Sequence, residues 1–277
     1  MASDAASALT PLAVHLGWLW GGELVPRLVL LNACVSSICM CLCLLVLWRV
    51  LVARAIPVYE GRSVSDKIFM SNSFVSAWPA LTAPMLAWSA IRRLPWDDTG
   101  TLMAAAADVH ALRAVGLSCG YMLYDTCYCA YYRQMRSPLI IGHHLLPVVF
   151  WPYCALNGRA VPIVLFFILT EVTNIGQHAR MILLKLGLED KLAYTIIGVS
   201  WVIGFFLVRI LPSPYLAYLL VKGSYAEYSN YEARHLTRAF ARSLEVYFDQ
   251  GFAPFAARYS ALDALAGTNV RASRTAH

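Results

Sequence analysis

Two adjacent histidines, His143 and His144, stand in the run "IGHHLLPVVFWPYCAL", which carries no charge before Arg159. Near neutral pH an imidazole can take a proton, attack a carbonyl or grip a ligand. Other polar groups occur in similarly apolar stretches. Asp125 lies in "YMLYDTCYCAYYRQ" with Tyr121 and Tyr128 around it. Glu171, Asn174 and His178 lie in "LTEVTNIGQHARM", and Arg209 lies in "FFLVRILPSP". A carboxylate beside an imidazole fixes its tautomer and stabilises the imidazolium. The set therefore has the parts for acid–base or nucleophilic chemistry, with His143, His144, Glu171 and Asp125 as reacting candidates. Tyr121, Tyr128, Asn174, His178 and Arg209 are candidates for holding a substrate. A zinc ion could be held by histidine and acid groups, but nothing in the pattern requires one, and no metal or bound cofactor is expected.

The chain has 277 residues, 59% hydrophobic and 14% charged, and a mean hydropathy of +0.58. Soluble domains are about 45–50% apolar and about 25% charged. The composition thus predicts an all-α polytopic membrane helix bundle of six to seven transmembrane helices. Six stretches approach the roughly 20 apolar residues a span needs: 28–48, 69–91, 115–132, 139–156, 161–184 and 193–220. Alternating ten-residue segments of a β-barrel are absent from the sequence. Residues 9–20 are too short and polar for a span and fit an interfacial segment. No basic stretch precedes them, so they do not read as a cleaved signal peptide.

The eight cysteines all fall within these spans and do not form the framework of a secreted domain. "CMCLC" places alternate residues on different sides of a helix, so packing is its reading. The net charge of +6 is spread over loops and tail. It reports membrane topology and not nucleic-acid binding. Lys and Arg divide almost evenly between the two sides, so they do not orient the chain. The loops are short, and no internal repeat suggests a transporter made of duplicated halves. The sequence divides into an N-terminal extension, 1–27, a bundle, 28–222, and a tail, 223–277.

Depth links the polar groups. The turn between the third and fourth spans centres near residue 135, with Asp125 ten residues before it and His144 nine after. At about 1.5 Å per residue both lie roughly 13–15 Å inside that surface. The next loop on that side centres near residue 187, which brings His178 and Asn174 close to the same depth and Glu171 one turn deeper. Glu171, Asn174 and His178 follow i, i+3, i+7 and predict one shared helix face. Neighbouring histidines point about 100° apart on a helix, so one faces a cavity while the other meets an adjacent helix. Pro147 and Pro152 can loosen that helix. An ionisable group at the bilayer centre costs at least about 2.5–3.5 kcal/mol, so this layer is either hydrogen-bond glue between helices or a functional site.

The stretches "GRSVSDKIFMSNSFVSAWPAL" (61–81), "YMLYDTCYCAYYRQ" (121–134), "SPLIIGHHLLPVVF" (137–150), "FFILTEVTNIGQHARMILLKLGL" (166–188) and "FFLVRILPSPYLAYLL" (205–220) together resemble a TLC domain over about 62–222. This family joins translocating-chain-associating proteins, ceramide synthases and ceroid-lipofuscinosis-type proteins. The resemblance implies that His143 and His144 match the histidine pair with which ceramide synthases move an acyl chain from acyl-CoA to a sphingoid amine. Where those enzymes carry a His-Asp dipeptide and a further Asp, this chain has Thr170-Glu171 and Asn174, and it lacks a homeobox-like insertion. It is more similar to the shorter TLC-domain-containing proteins. The resemblance implies residence in the endoplasmic reticulum, membrane lipids as partners, acyl-CoA as co-substrate and no nucleic acid; a homo-oligomer stays open. Two functions remain: a lipid acyltransferase, and a non-catalytic lipid-binding regulator or cargo receptor. An acyl chain lying beside the histidines predicts a long, mostly apolar tunnel.

Beyond the bundle, Leu236, Phe240, Leu244 and Phe248 recur every four residues, the apolar stripe of an amphipathic helix over 229–249. Glu232, Arg234, Arg238, Arg242 and Glu245 make a crossing too costly, so the helix rests on the surface. Glycosylation acceptor sites placed at residues 228 and 250 are expected to be modified alike. Modification at only one of the two would place them on opposite sides and refute the surface helix.

Overall fold

The computed structural model describes residues 24–97 and 99–227. The expectations for 9–20 and 229–249 lie outside these residues. The chain divides into two units, Met1–Gly223 and Ser224–His277, and nearly all described residues belong to the first.

Among the described residues every regular element is helical. The first span, α1 (Leu24–Leu47), continues through a π-helical turn, Trp48–Val52, to Ala55. The others are α2 (Val64–Ile91), a short α3 (Thr99–Met103), α4 (Val109–Tyr131) and α5 (Pro138–Leu156). α6 (Val161–Thr170) passes through a 3₁₀ turn, Glu171–Thr173, into α7 (Asn174–Lys185). α8 (Leu192–Phe205) passes through a π-helical turn, Phe206–Ile210, and α9 (Ser213–Glu227) follows. Five helical stretches are long and apolar enough to cross a membrane: those built on α1, α2, α5, α6–α7 and α8–α9. α4, with 23 residues, has the length but more polar side chains. It is enclosed by α1, α2, α5 and α6, which explains how a polar helix is tolerated there. The lipid side is the reverse case: Ile196, Val199, Val202, Ile203, Phe206 and Leu207 on the last span are all exposed.

Capping sets several boundaries. Ser63 accepts the amide of Asp66 at 3.1 Å and donates its hydroxyl to the Asp66 carboxylate at 2.7 Å, opening α2 with a variant of the capping box. Asp108 accepts the amide of Ala111 at 2.8 Å and opens α4. Gly187, at φ +66, ends α7 in the left-handed region open to glycine. Pro147 and Pro152 were expected to loosen the fourth span, yet α5 runs unbroken through both.

The tightest seam joins α1 to α4. Gly116 and Gly120 form a G-x-x-x-G pair, and a Cβ added to either would lie 2.3 Å from the Leu30 carbonyl oxygen or 2.2 Å from that of Cys34. Ser37 donates to the Leu117 carbonyl at 2.7 Å across the seam. Within lipid, apolar surface gives helices no reason to associate, so close backbone approach of this kind supplies the attraction.

One membrane face is laced together. Arg62 donates to the Leu186 carbonyl, Lys185 lies 2.9 Å from Asp66, and Arg49 donates to the Tyr132 hydroxyl at 2.7 Å. These bonds tie the ends of α1, α2, α4 and α7 at one level and set the depth register that the interior depends on.

Gly120→Leu is expected to break the α1–α4 seam, because the obstructing atoms are backbone. A loss of at least about 1–3 kcal/mol should appear as a lowered unfolding temperature of the purified protein. Gly142, whose Cβ position meets nothing within 4 Å, should accept Leu with little change. Equal tolerance at both positions would refute the seam's role.

Candidate functional site

Asp125 is the centre of the first polar group. It is 3% exposed, inside α4. Asn72, on α2, donates its amide to Asp125 Oδ1 at 2.6 Å. Cys129, one turn along α4, donates its thiol to Oδ2 at 3.5 Å. His144, on α5, brings Nδ1 to 3.0 Å from the same Oδ2. The Nδ1–H bond is not aligned along that approach, so the carboxylate acts on the ring chiefly as a nearby charge. A carboxylate 3.0 Å from Nδ1 favours the tautomer that carries its proton on that nitrogen, which leaves Nε2 as the acceptor. The His143 ring lies 5.4 Å from that of His144, and the Tyr121 ring, one turn before Asp125 on α4, lies 6.3 Å from the His144 ring. His143 remains half-buried.

A second group forms where the fifth span changes pitch. Asn174 donates to Glu171 Oε2 at 2.6 Å. Arg209 reaches the same place from α8: its Nε donates to Thr173 Oγ1 at 3.1 Å, and one terminal nitrogen donates to the Thr170 carbonyl at 3.2 Å and to Asn174 Oδ1 at 3.0 Å. That nitrogen lies 3.5 Å from Glu171 Oε1. Both unusual turns serve this contact. The π-helical turn at Phe206–Ile210 re-aims Arg209, and such turns are frequent at functional sites. The 3₁₀ turn advances the chain at three residues per turn, which draws Glu171 and Asn174 together.

Asn174 and His178 stand four residues apart on the regular α7 and so share one side of it, Glu171 is bonded to Asn174 across the 3₁₀ turn, and His178 is half-buried one turn farther along. Glu171, read as a partner for the histidines, is held by Asn174 and Arg209; the carboxylate against an imidazole is Asp125. Tyr128 donates to the Ile68 carbonyl at 3.1 Å and lies 2.7 Å from the Ser71 hydroxyl, so it braces α2 against α4 and lines no cavity with the histidines.

Asn72, Ser71 and Cys129 were missed by the sequence reading. Asn72 sits eight residues into α2, about 12 Å along the helix, so the depth count that singled out Asp125 also finds Asn72. The tunnel expectation is corrected as well. The space bordering this layer is a cavity of about 10 Å³, lined in part by Ser76, Ser118, Tyr121 and Glu171. A larger cavity of about 490 Å³ opens between Ala90, Arg93, Asp108 and Leu165. Asp108 is seventeen residues from Asp125, about 26 Å along α4, so this cavity does not serve the histidines. Tight helix packing fills the intervening core with Ala83, Ala87, Ala114, Val115 and Ile168. α5 packs on α4 and α6 while α8 packs on α7, and those two outer helices share no comparable interface. The side chains between them keep part of their surface: 13% for His144, 18% for Glu171 and 25% for Arg209. Among the described residues no group of three or more His, Cys, Asp or Glu side chains is placed to hold a metal ion.

The family model of the TLC domain matches residues 70–268, most of the chain. The chain belongs to the TLC-domain family. The match begins later than 62 and runs beyond 222 through much of the tail, so the domain is longer at its C-terminal end than the resemblance implied. A relative, TLC domain-containing protein 4 A of Dictyostelium discoideum, is 26% identical over 151 residues, which cover 53% of this chain and 57% of that protein. The chain thus spans little more than half the length of this curated relative. No solved structure matches it. As a TLC-domain protein it is a lipid-related protein of the membrane.

Arg209→Met is expected to leave the Glu171 carboxylate uncompensated and to cost about 3 kcal/mol, the low end for breaking a buried pair, read as a fall in unfolding temperature. Adding Glu171→Gln should restore much of that loss. A second substitution that deepens the loss would show that the pair is not the source of the stability.

Proposed function

We propose that this TLC-domain protein transfers an acyl chain from acyl-CoA to a lipid amine or hydroxyl, with His144 as the base and His143 beside the reacting groups. The observation that carries the reading is the Asp125 carboxylate 3.0 Å from His144 Nδ1, itself held by Asn72 at 2.6 Å. That arrangement leaves Nε2 to accept the proton of an attacking amine or hydroxyl. As the nucleophile bonds to the thioester carbon, the carbon–sulfur bond breaks. The imidazolium returns its proton to the departing CoA thiolate, and Asp125 offsets its charge meanwhile. With a small cavity at the layer, the alkyl chains remain on the bilayer side, where α5 and α8 do not pack on one another. In this reading acyl-CoA is a co-substrate and no cofactor is bound. The protein resides in the endoplasmic reticulum membrane, as its likeness to ceramide synthases implies.

A second reading is favoured by a specific observation. Glu171 is occupied by Arg209 and Asn174, and among the described residues the cavity that borders the layer holds only about 10 Å³. A bundle of this kind can bind lipid at the same groups and regulate membrane composition or escort cargo without chemistry.

Purified protein in lipid nanodiscs, given labelled acyl-CoA and a panel of lipid amines and alcohols, is expected to form acylated product. His144→Ala should reduce the rate by about 10²–10⁴-fold, the usual worth of a general base. Asp125→Asn should reduce it less, and His143→Ala with His144→Ala should abolish it while the unfolding temperature stays close to that of the parent. If no acceptor is acylated but the double variant changes the lipids that co-purify, the regulator reading holds. A double variant silent in both assays would leave the histidines as structural glue and refute both readings.

A further inference from the structure

We infer that the bundle holds one ordered water between α2, α4 and the Glu171 turn, bound by Ser76, Ser118 and the Glu171–Asn174 pair. Ser76 on α2 is 1% exposed and Ser118 on α4 is 3% exposed. Neither hydroxyl has a hydrogen-bond partner within the protein. Both line the cavity of about 10 Å³, together with Tyr121, Glu171 and Asn174 and the apolar Pro79, Ala80, Ala83 and Met122. A single buried water needs roughly 10–15 Å³ by this measure and two to four polar partners. Five of the nine lining residues carry a hydroxyl, a carboxylate, an amide or a phenol. Apolar cavities stay dry, whereas polar ones of sufficient size fill. Buried hydroxyls rarely go unsatisfied, and one water at this point satisfies both.

Neighbouring groups agree with that assignment. Tyr121 approaches Ser76 closely enough to interact with it, yet no direct hydrogen bond of normal geometry joins the Ser76 hydroxyl to anything. Asn72, which holds Asp125, lies four residues before Ser76 on the same face of α2, and its side-chain oxygen is also buried without a partner. Glu171 meets Asn174 with one oxygen and Arg209 with the other, and its lone pairs can accept a further donor from the cavity. The water thus sits beside the Glu171–Asn174 pair, on the side away from Arg209's contacts with the Thr170 carbonyl and Thr173. The inference rests on burial and cavity chemistry and is independent of the acyl-transfer reading.

The test uses the full chain in nanodiscs, exposed to brief X-ray radiolysis in ¹⁸O-labelled water. Radicals made from an internal water oxidise the side chains touching it. Met122 lines the cavity and is 3% exposed, Met70 is fully buried away from it, and Trp96 is 47% exposed. Met122 is expected to be oxidised well above Met70, taking up label more slowly than Trp96 because an enclosed water exchanges slowly. Ser76→Ala and Ser118→Ala should each lower Met122 oxidation and the unfolding temperature. Combined, their effects should be less than additive, because both remove partners of the same water. Met122 oxidation at the level of Met70 would overturn the proposal, and the parent protein alone decides this even if a variant does not fold. A rise in unfolding temperature on Ser→Ala would overturn it too, since removing an unsatisfied hydroxyl from a dry cavity relieves an unmade hydrogen bond.

Discussion

A carboxylate inside the hydrocarbon layer must be satisfied by the protein, and the Asp125 side chain organises this bundle around that need. Three helices contribute: Asn72 from α2, Cys129 from α4 itself and His144 from α5. None of these contacts tolerates a shift of one residue in register, because a helix moves about 1.5 Å and turns about 100° per residue. The lacing at one face, through Arg62, Lys185 with Asp66, and Arg49 with Tyr132, therefore supports the interior. It fixes how deeply each helix sits before its polar side chains meet. The glycine seam between α1 and α4 does the same laterally, since it brings α1 close along the back of the helix that carries Asp125. Packing and polar contacts are one system here: the small residues set the distances at which the hydrogen bonds close.

The second pair obeys the same constraint by different means. Glu171 is compensated by Arg209 from the π-helical turn after α8, on a span whose most apolar stretch has no fully buried residue. Regular helices on both sides would not bring these residues together, and each departs from α geometry at the contact, one to 3₁₀ and the other to π. The cost of irregular backbone is offset by the charge it neutralises. The result is two polar groups of different character: one a carboxylate paired with a guanidinium, the other a carboxylate next to a titratable ring.

Much of this was legible in the sequence. Span number follows from long apolar runs, and the shared depth of Asp125 and His144 follows from counting residues out to a loop. Both are properties of helical rise alone. What stayed hidden depends on partners and on pitch. Asn72 looks like one more small polar residue in "MSNSFVS" until α2 is set against α4. The 3₁₀ turn at Glu171–Thr173 is likewise invisible in the apolar pattern that runs through it. Gly116 and Gly120 carry a spacing visible in "GLSCG", but their partner, α1, is distant in sequence. The tunnel was argued from substrate size, and the core denied it because alanines at Ala83, Ala87 and Ala114 let α2, α4 and α6 close on each other.

The charge balance of the two groups bears on which of them can react. Glu171 and Arg209 offset one another, so taking up or releasing a proton there would create an isolated charge in a low-dielectric interior, which is costly. Asp125 stands differently. Beside a neutral imidazole it is a lone negative charge, supported by the neutral donors Asn72 and Cys129. A proton accepted by His144 makes an ion pair out of that charge instead of adding an uncompensated one. On the acyl-transfer reading, the step that generates imidazolium is therefore the step the site is electrostatically built to favour, and such preorganised compensation of developing charge is usually the largest catalytic term. The histidine pair is then unequal. His144 holds Nδ1 at 3.0 Å from the Asp125 carboxylate, and on the acyl-transfer reading the half-buried His143 beside it is left to contact the substrate.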